Sequence, residues 1–205
     1  MPQAIGFFMA ATAPKKVVML APRFLVGQLL LSMPGIGDPR FERSVIAMCL
    51  HDEEGALGLV VNRRHDSLTV RGLMAQLDID PGDTPEDTPV LNGGPVEPSR
   101  GFVLHSPDYE GQSSIQVDGK WSLTSTLDVL KDIAAGKGPR QWLAALGYTG
   151  WAGGQLEGEM TRHGWLLAPG ATDLLFDTPM ESRWPDAYGR LGIAVGQLSA
   201  TPGRA

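Results

Sequence analysis

Three segments of the sequence combine polar side chains with glycine, proline and aromatic residues, a mixture from which binding loops are commonly built. They are Ser32–Ser44, Asn92–His105 and Gly147–Glu157. In the first segment prolines and glycines restrict the backbone, and the charged side chains there are Asp38, Arg40, Glu42 and Arg43. The pattern predicts a rigid ligand-binding loop. The alternative is a turn whose charges are solvated or paired with one another.

The second segment contains Gly93-Gly94-Pro95 followed by Arg100. Successive backbone N–H groups in such a run can form an anion-binding nest, and a guanidinium group can grip a carboxylate or a phosphate with two hydrogen bonds. Neither GxGxxG nor GxxxxGK[ST] occurs in the chain, so no nucleotide-binding fingerprint supports this interpretation. The alternative use of the glycines is a tight hairpin turn between two strands.

The third segment runs from Gly147-Tyr148 through Trp151 into Gln155-Leu156-Glu157, where a short helix is predicted. The N-terminus of that helix could hold an anion, although Glu157 and Glu159 already complement the helix dipole. The alternative assigns Trp151 and Trp165 to the hydrophobic core, since large aromatic side chains dominate core packing.

An enzyme would require a nucleophile with a nearby base. Cys49 and His51 are two residues apart on a predicted strand, so their side chains are expected on the same face, where an imidazole can lower a thiol pKa. The catalytic alternative therefore uses Cys49 or Ser44 with His51 or His105. Against it, a free cysteine in a strand is usually buried, no third group is visible, and GxSxG is absent.

Metal and cofactor binding are not expected from the sequence. The four histidines show neither HxH nor HExxH spacing, and the single cysteine excludes a CxxC pair.

Arg43 and Arg100 each adjoin a loop shaped by glycine and proline. We expect them to approach the same side of the domain and to define a small pocket for an anionic ligand or a partner. The alternative is structural, with either arginine paired to Asp38, Glu42 or Glu97.

Composition narrows the class of protein. The 205 residues are 42% hydrophobic with a net charge of −6, enough for a sizeable core in one domain. Residues 72–205 carry nine Lys/Arg against 17 Asp/Glu, and no basic run occurs, so direct binding to duplex DNA is not expected. The single cysteine indicates a cytoplasmic location. No apolar stretch approaches the roughly 18 residues that a membrane-spanning helix needs.

Strands and helices do not alternate regularly along the chain, which favours α+β over a doubly wound fold. Residues 1–23 are expected to form a loosely ordered extension, and residues 24–205 a single domain. Residues 78–88 are expected to be a flexible loop. Predicted strands cover 27–33, 44–51, 56–62, 90–91, 101–105, 114–118, 120–123, 142–146 and 165–167. Predicted helices start near Ser67 and Thr126 and cover 155–161 and 181–191.

The chain resembles the YqgE/AlgH family of bacterial proteins from about Phe24 to Gly203. The blocks that carry the resemblance are Met33-Pro34, Asp38-Pro39-Arg40-Phe41, Arg43-Ser44-Val45, Cys49-Leu50-His51, Gly55-Ala56-Leu57-Gly58 through Asn62, Gly93-Gly94-Pro95, Arg100 to His105, Leu146-Gly147-Tyr148, Trp151, Gly154 to Glu157, and Trp165-Leu166. The resemblance implies a cytosolic α+β domain whose sheet curls on itself, without an agreed catalytic activity. Some relatives are called transcriptional regulators, a role that in this acidic chain is expected to be indirect.

The sequence thus predicts a single α+β domain with a mixed, largely antiparallel, strongly curved and barrel-like sheet and a few peripheral helices. Its predicted function is that of a non-catalytic binding or regulatory module for a small anionic ligand or a protein partner. The candidate binding residues are Asp38, Arg43, Ser44, His51, Asn62, Gly93, Gly94, Arg100, His105, Tyr148, Trp151, Gln155 and Glu157.

Overall fold

The computed structural model describes residues 24–162 and 164–198. In this part of the chain the strands are β1 (Gln28–Ser32), β2 (Val45–His51), β3 (Gly55–Val60), β4 (Arg64–Thr69), β5 (Pro89–Asn92), β6 (Val96–His105), β7 (Ile115–Val117), β8 (Trp121–Thr124), β9 (Trp142–Ala152) and β10 (Trp165–Pro169). The helices are α1 (Val70–Gln76), α2 (Asp128–Ala134), α3 (Gln155–Thr161), α4 (Thr172–Phe176) and α5 (Arg183–Arg190). Short 3₁₀ turns cover Pro39–Phe41, Met180–Ser182 and Val195–Gln197. The predicted extension, residues 1–23, lies outside the described residues, as do residues 199–205.

The ten strands of the described residues belong to one sheet. Its main path is β10-β1-β2-β3-β9-β6-β8-β7, and β5 pairs with both β4 and β9. The β5–β9 pair is parallel and the others are antiparallel. The two ends of the path approach each other, because Lys120 Nζ, between β7 and β8, donates to the Gly27 carbonyl just before β1 (3.0 Å). The prediction of an α+β fold with a strongly curved, largely antiparallel sheet is therefore confirmed.

The curled sheet separates one inner core from two outer clusters. Alternation along β2 shows the division, because Val45 and Ala47 pack into the inner core while Ile46 and Met48 pack into an outer cluster. Helices α4 and α5 close the inner core, α3 covers the first outer cluster, and α1 with α2 covers the second. None of the helices in the described ranges is long and apolar enough to cross a membrane.

The β2–β3 hairpin, predicted from two Val- and Leu-rich runs, is present with one irregularity. Met48 pairs with Gly58 and Leu50 with Leu57, so Cys49 is an extra residue in β2. Such a bulge interrupts the alternation of side chains along a strand. As a result Cys49 packs in the inner core, whereas His51 points to the outer side, towards α3.

The prediction of a tight hairpin turn at Gly93-Gly94-Pro95 is wrong. Strands β5 and β6 do not pair with each other; each pairs with β9, along opposite edges. The two glycines carry the chain across β9 at Gly147. A Cβ atom on Gly94 would lie 2.3 Å from the Tyr148 carbonyl, and one on Gly147 would lie 2.3 Å from the Gly94 oxygen. Glycine is required because two backbones touch here.

Other differences from the predicted elements are local. The cap of α1 is Thr69, whose Oγ1 accepts from the Gly72 N–H (3.2 Å), and not Ser67, which lies in the unpredicted strand β4. The short strand predicted at 142–146 is an eleven-residue strand that continues to Ala152. The segment around Tyr148 and Trp151 is therefore sheet, and not a loop before a helix.

Candidate functional site

A cavity of about 400 Å³ lies between α3, the C-terminal half of β9 and the loop before β2. It receives side chains from all three segments singled out in the sequence. Its lining residues are Ile36, Asp38, Arg40, Phe41, Pro95, Thr149, Gly150, Trp151, Gln155, Glu159, Arg162, Gly164 and Trp165. We call it the tryptophan cavity. Its volume is within the range of ordinary small-molecule sites.

The Glu159 carboxylate holds the two tryptophans in place. Trp151 Nε1 and Trp165 Nε1 both donate to Glu159 Oε2 at 2.9 Å, and Gln155 Nε2 donates to Oε1 at 3.0 Å. The indole rings meet edge to face, with centroids 6.0 Å apart. The aromatic wall is therefore fixed before any ligand arrives.

The pKa of Glu159 shows that this carboxyl group is ionised at neutral pH. Burial alone would raise the pKa, but hydrogen bonds from Trp165, Trp151 and Gln155, with the nearby Arg162 charge, outweigh it and lower the pKa below its ordinary value. Donors that bind the charged form stabilise it. The cavity thus contains a negative charge whose oxygens are already occupied by neutral donors.

In the loop that forms the opposite wall, Asp38 and Arg40 pair with one another, as the alternative in the sequence analysis expected. Asp38 caps the short 3₁₀ turn Pro39–Phe41 by accepting from the Arg40 N–H (3.0 Å), and it also binds the Arg40 guanidinium through Nη2 (2.7 Å) and Nε. These hydrogen bonds from Arg40 lower the pKa of Asp38. Phe41 packs edge to face on Trp165, with centroids 5.5 Å apart.

Three predicted residues, Asp38, Trp151 and Gln155, line this cavity, and Gly94 lines a neighbouring recess. Arg43 and Asn62 lie beside a different cavity of about 470 Å³ next to Trp184.

Asn62 has a clear structural role. Its Oδ1 accepts from the Val45 N–H (2.8 Å) and its Nδ2 donates to the Arg43 carbonyl (2.7 Å), which fixes Arg43 in a backbone conformation with φ of 52°. The Arg43 guanidinium lies over the Trp184 ring, 5.8 Å from its centroid.

Arg43 and Arg100 share none of these cavities, so the joint pocket expected for them is not formed. Arg100 pairs with Glu97 (3.0 Å) and lies over the Phe102 ring, 5.2 Å from its centroid. The pairing with Glu97 is the structural alternative that the sequence left open. Both partners are half exposed.

The prediction that the Cys49 and His51 side chains share one face of β2 is wrong, because the β2 bulge places them on opposite faces of the sheet. Cys49 is fully buried, and burial raises the pKa of its thiol to about 12 despite contact with Trp121. The Leu25 N–H donates to His51 Nδ1 (3.0 Å), so Nε2 carries the proton and donates to Glu157 Oε1 (3.0 Å). Both imidazole nitrogens of His51 are therefore engaged in structural contacts.

Ser44 and His105 are likewise held by structural partners. Ser44 Oγ donates to the Phe41 carbonyl (2.7 Å). His105 Nδ1 donates to the Ser106 carbonyl (2.8 Å) and Nε2 accepts from Thr124 Oγ1 (2.9 Å). Burial lowers the pKa of His105, which favours the neutral ring. No nucleophile and base are paired among these residues.

The remaining predicted residues serve the fold. Gly93 takes part in the chain crossing, with its N–H on the Leu146 carbonyl (2.8 Å), and Tyr148 packs edge to face on Phe102. The described residues contain no group of three His, Cys, Asp or Glu side chains that could hold a metal ion.

Sequence reasoning missed Glu159, Arg162, Phe41 and Arg63 as site residues. A usable signal existed for Glu159, since it lies on the only helix predicted between Trp151 and Trp165 and four residues after Gln155. That spacing places Gln155 and Glu159 on one helix face. Arg63 lines the neighbouring recess and has no such local signal, because it follows β3 and contacts the loop through the distant Pro39 and Glu42 carbonyls.

Fold and site together define a class: a single curled-sheet α+β domain with a ligand-sized, aromatic-walled cavity on its outer face. The AlgH-like family model matches residues 29–196, and the chain belongs to that family. A UPF0301 protein of Rhizorhabdus wittichii is 58% identical over 187 residues, covering 91% of this chain and all of the relative. One from Novosphingobium aromaticivorans is 53% identical with the same coverage.

Two solved structures share the fold. The solution structure of the AlgH protein from Pseudomonas aeruginosa has a TM-score of 0.75 at 39% identity, covering 91% of this chain and 99% of that one. A crystal structure of a Corynebacterium diphtheriae protein has a TM-score of 0.66 at 18% identity, covering 89% and 90%. At that identity the second likeness concerns the fold alone.

Proposed function

We propose that this protein is a non-catalytic binding module and that the tryptophan cavity takes up a small anionic ligand. The observation that carries the proposal is the convergence of the three polar segments on one cavity whose aromatic wall is held in place by Glu159. A fixed wall binds without first having to be ordered, which lowers the entropic cost of binding.

Charge around the cavity favours an anion. Both lining carboxylates are already satisfied, Asp38 by Arg40 and Glu159 by the indoles and Gln155. Arg162 uses only its Nε, on the Gly158 carbonyl (3.0 Å), and within the described ranges its terminal nitrogens have no hydrogen-bond acceptor. Guanidinium groups with spare donors suit carboxylates and phosphates.

A thermal-shift screen of carboxylated and phosphorylated metabolites tests the proposal. A ligand that binds the folded state raises the melting temperature. We expect at least one compound to do so in the wild type and to lose most of its effect in Arg162→Met. The control is Arg190→Met, which removes a guanidinium group remote from the cavity. If no compound stabilises the wild type, or if Arg162→Met responds fully, the proposal fails.

The enzyme alternative has its own test. We expect Cys49 to resist a thiol-reactive electrophile in the native protein and to react once denaturant unfolds the chain, because a buried thiol with a raised pKa is not nucleophilic. Labelling without denaturant, faster than global unfolding, would instead support a reactive cysteine.

Any regulatory role is proposed to be indirect, through the ligand or a protein partner in the cytoplasm. The net charge of −6 opposes association with duplex DNA. We expect no sequence-specific binding by fluorescence anisotropy at physiological salt. A nanomolar complex that discriminates between sequences would contradict this expectation.

A further inference from the structure

A smaller recess of about 150 Å³ adjoins the tryptophan cavity and shares the wall formed by Arg40, Phe41 and Pro95. Its other lining residues are Val60, Arg63, Asn92 and Gly94. Among the described residues that line this arginine recess there are two guanidinium groups and one amide but no carboxylate. Since Asp38 pairs with Arg40, the net positive charge of the recess comes from Arg63.

The arginines of the recess are held in position by the loop before β2. Arg63 Nη2 donates to the carbonyls of Pro39 (3.1 Å) and Glu42 (2.7 Å), which leaves its Nη1 and Nε without an acceptor among the described residues. Arg40 is fixed by Asp38 through Nε and Nη2, which leaves Nη1. Each guanidinium is thus anchored at one end and retains donors at the other.

Resting on the proposed function, we infer that the ligand has two parts, a flat heteroaromatic ring in the tryptophan cavity and a phosphate in the arginine recess. A nucleoside phosphate has this chemistry. The ring suits a wall made of Phe41, Trp151 and Trp165, because nucleobases stack on aromatic side chains. The phosphate suits donors that come from Arg40, Arg63 and Asn92, because it presents three oxygens to separate groups where a carboxylate presents two.

This mode of recognition uses side chains and needs no glycine-rich phosphate loop. The absence of GxGxxG and of GxxxxGK[ST] from the sequence is therefore compatible with it. The shared wall requires that ring and phosphate bind on either side of Phe41 and Pro95, so the two parts must belong to one molecule to gain from both sites.

Calorimetric titration with three probe types separates the contributions. The probes are the monophosphates of adenosine, guanosine, cytidine and uridine, the four matching nucleosides, and inorganic phosphate. For at least one base we expect the monophosphate to bind at least about tenfold more tightly than its nucleoside and than inorganic phosphate, a difference of about 1.4 kcal/mol. The binding should also quench tryptophan fluorescence.

Variants assign that gain to the recess. In Arg63→Met and in Asn92→Ala we expect the monophosphate to lose its advantage while the nucleoside is unaffected. Arg190→Met is the matched control, since Arg190 is held by Asp173 as Arg40 is by Asp38 but lies elsewhere. Because Arg63 also anchors the loop, Arg63→Lys is the second variant: it keeps the charge, and it should retain part of the advantage if Arg63→Met fails to fold.

Three results would overturn the inference. A nucleoside that binds as tightly as its monophosphate shows that the recess contributes nothing, although the proposed function then stands. Inorganic phosphate that binds as tightly as the monophosphate shows that the ring contributes nothing. If none of the probes binds while another compound in the thermal screen does, the ligand class is wrong and the binding function survives.

Discussion

Two regions centred on tryptophan side chains lie on opposite faces of the same sheet. Their indole N–H groups have different hydrogen-bond partners. In the inner core the fully buried Trp121 points its N–H towards the Cys49 thiol and finds no ordinary hydrogen-bond acceptor. On the outer face Trp151 and Trp165 direct theirs to one carboxylate at the edge of a cavity. All three indoles are largely buried, so burial does not distinguish a core tryptophan from a site tryptophan. Trp184, also in the inner core, donates its N–H to the Ser32 carbonyl, so the difference lies in the charged acceptor that Trp151 and Trp165 share.

Removing the inner tryptophan should have the largest effect on stability. Trp121→Ala deletes a fully buried side chain and is expected to lower the free energy of unfolding by about 3–5 kcal/mol, measured by urea denaturation. Trp142→Ala is the matched control, since Trp142 is only partly buried beneath α1 and α2, and should lose less. Equal losses in the two variants would remove the distinction between the inner core and its surroundings.

Glu159→Gln should have a smaller effect on stability and a large one on the cavity. The amide oxygen can still accept from both indoles at the Oε2 position, but the charge is lost and the amide NH₂ replaces the acceptor that faces Gln155 Nε2, so we expect a loss of about 1–2 kcal/mol and a shift in tryptophan emission. Glu157→Gln, two residues earlier on the same helix, is the control and should change stability by less than about 0.5 kcal/mol, because its amide oxygen can still accept from His51. An unchanged emission spectrum in Glu159→Gln would contradict the proposed anchoring.

The stability difference between wild type and Glu159→Gln should depend on pH. The pKa of Glu159 in the folded protein is lowered from its ordinary value of 4.5, so its stabilising contribution is complete above that value. The contribution is lost as the pH falls through the lowered folded pKa. Unfolding curves of both proteins from pH 7 downwards should therefore converge in strongly acidic buffer. A gap that stays constant at every pH would show that the charge of Glu159 is not involved.

The smallest effect is expected at Arg100, the arginine that the structure removes from the candidate site. Its pair with Glu97 is half exposed, and such pairs contribute about 0–1 kcal/mol. Arg100→Met should leave ligand-induced stabilisation unchanged, whereas Arg162→Met should reduce it. A double-mutant cycle with Glu97→Gln measures the pair itself. Loss of ligand response in Arg100→Met would return this residue to the site.

Much of the fold follows from local patterns in the sequence. The apolar runs of β2 and β3 and the turn-forming residues between these two strands are clear signals. The apolar periodicity of α1 is another. The β2 bulge has no local sequence signal, because the extra residue depends on how β2 pairs with β3. That one residue moved His51 away from Cys49 and removed the catalytic alternative built on the pair.

The sequence indicated which segments would form the site but not the contacts between their side chains. Glycine, proline and charge marked the loop around Asp38 and the stretch that includes Trp151, and both line the cavity. Whether Arg43 or Arg63 reaches the arginine recess beside the cavity was decided by long-range contacts. Arg63 is clamped to carbonyls more than 20 residues away, while Arg43 is turned towards Trp184 by the Asn62 amide.

The position of β9 in the sheet, where the chain crosses at Gly93, Gly94 and Gly147, also limits when the sheet can be completed during synthesis. Strand β9 is the common neighbour of β3, β5 and β6, all of which leave the ribosome before it. Until the chain has been extended past Ala152, those three strands have open edges that can pair with other chains. A nascent chain arrested near residue 140 is therefore expected to be an aggregation-prone substrate for chaperones, although it already contains most of the residues of the domain.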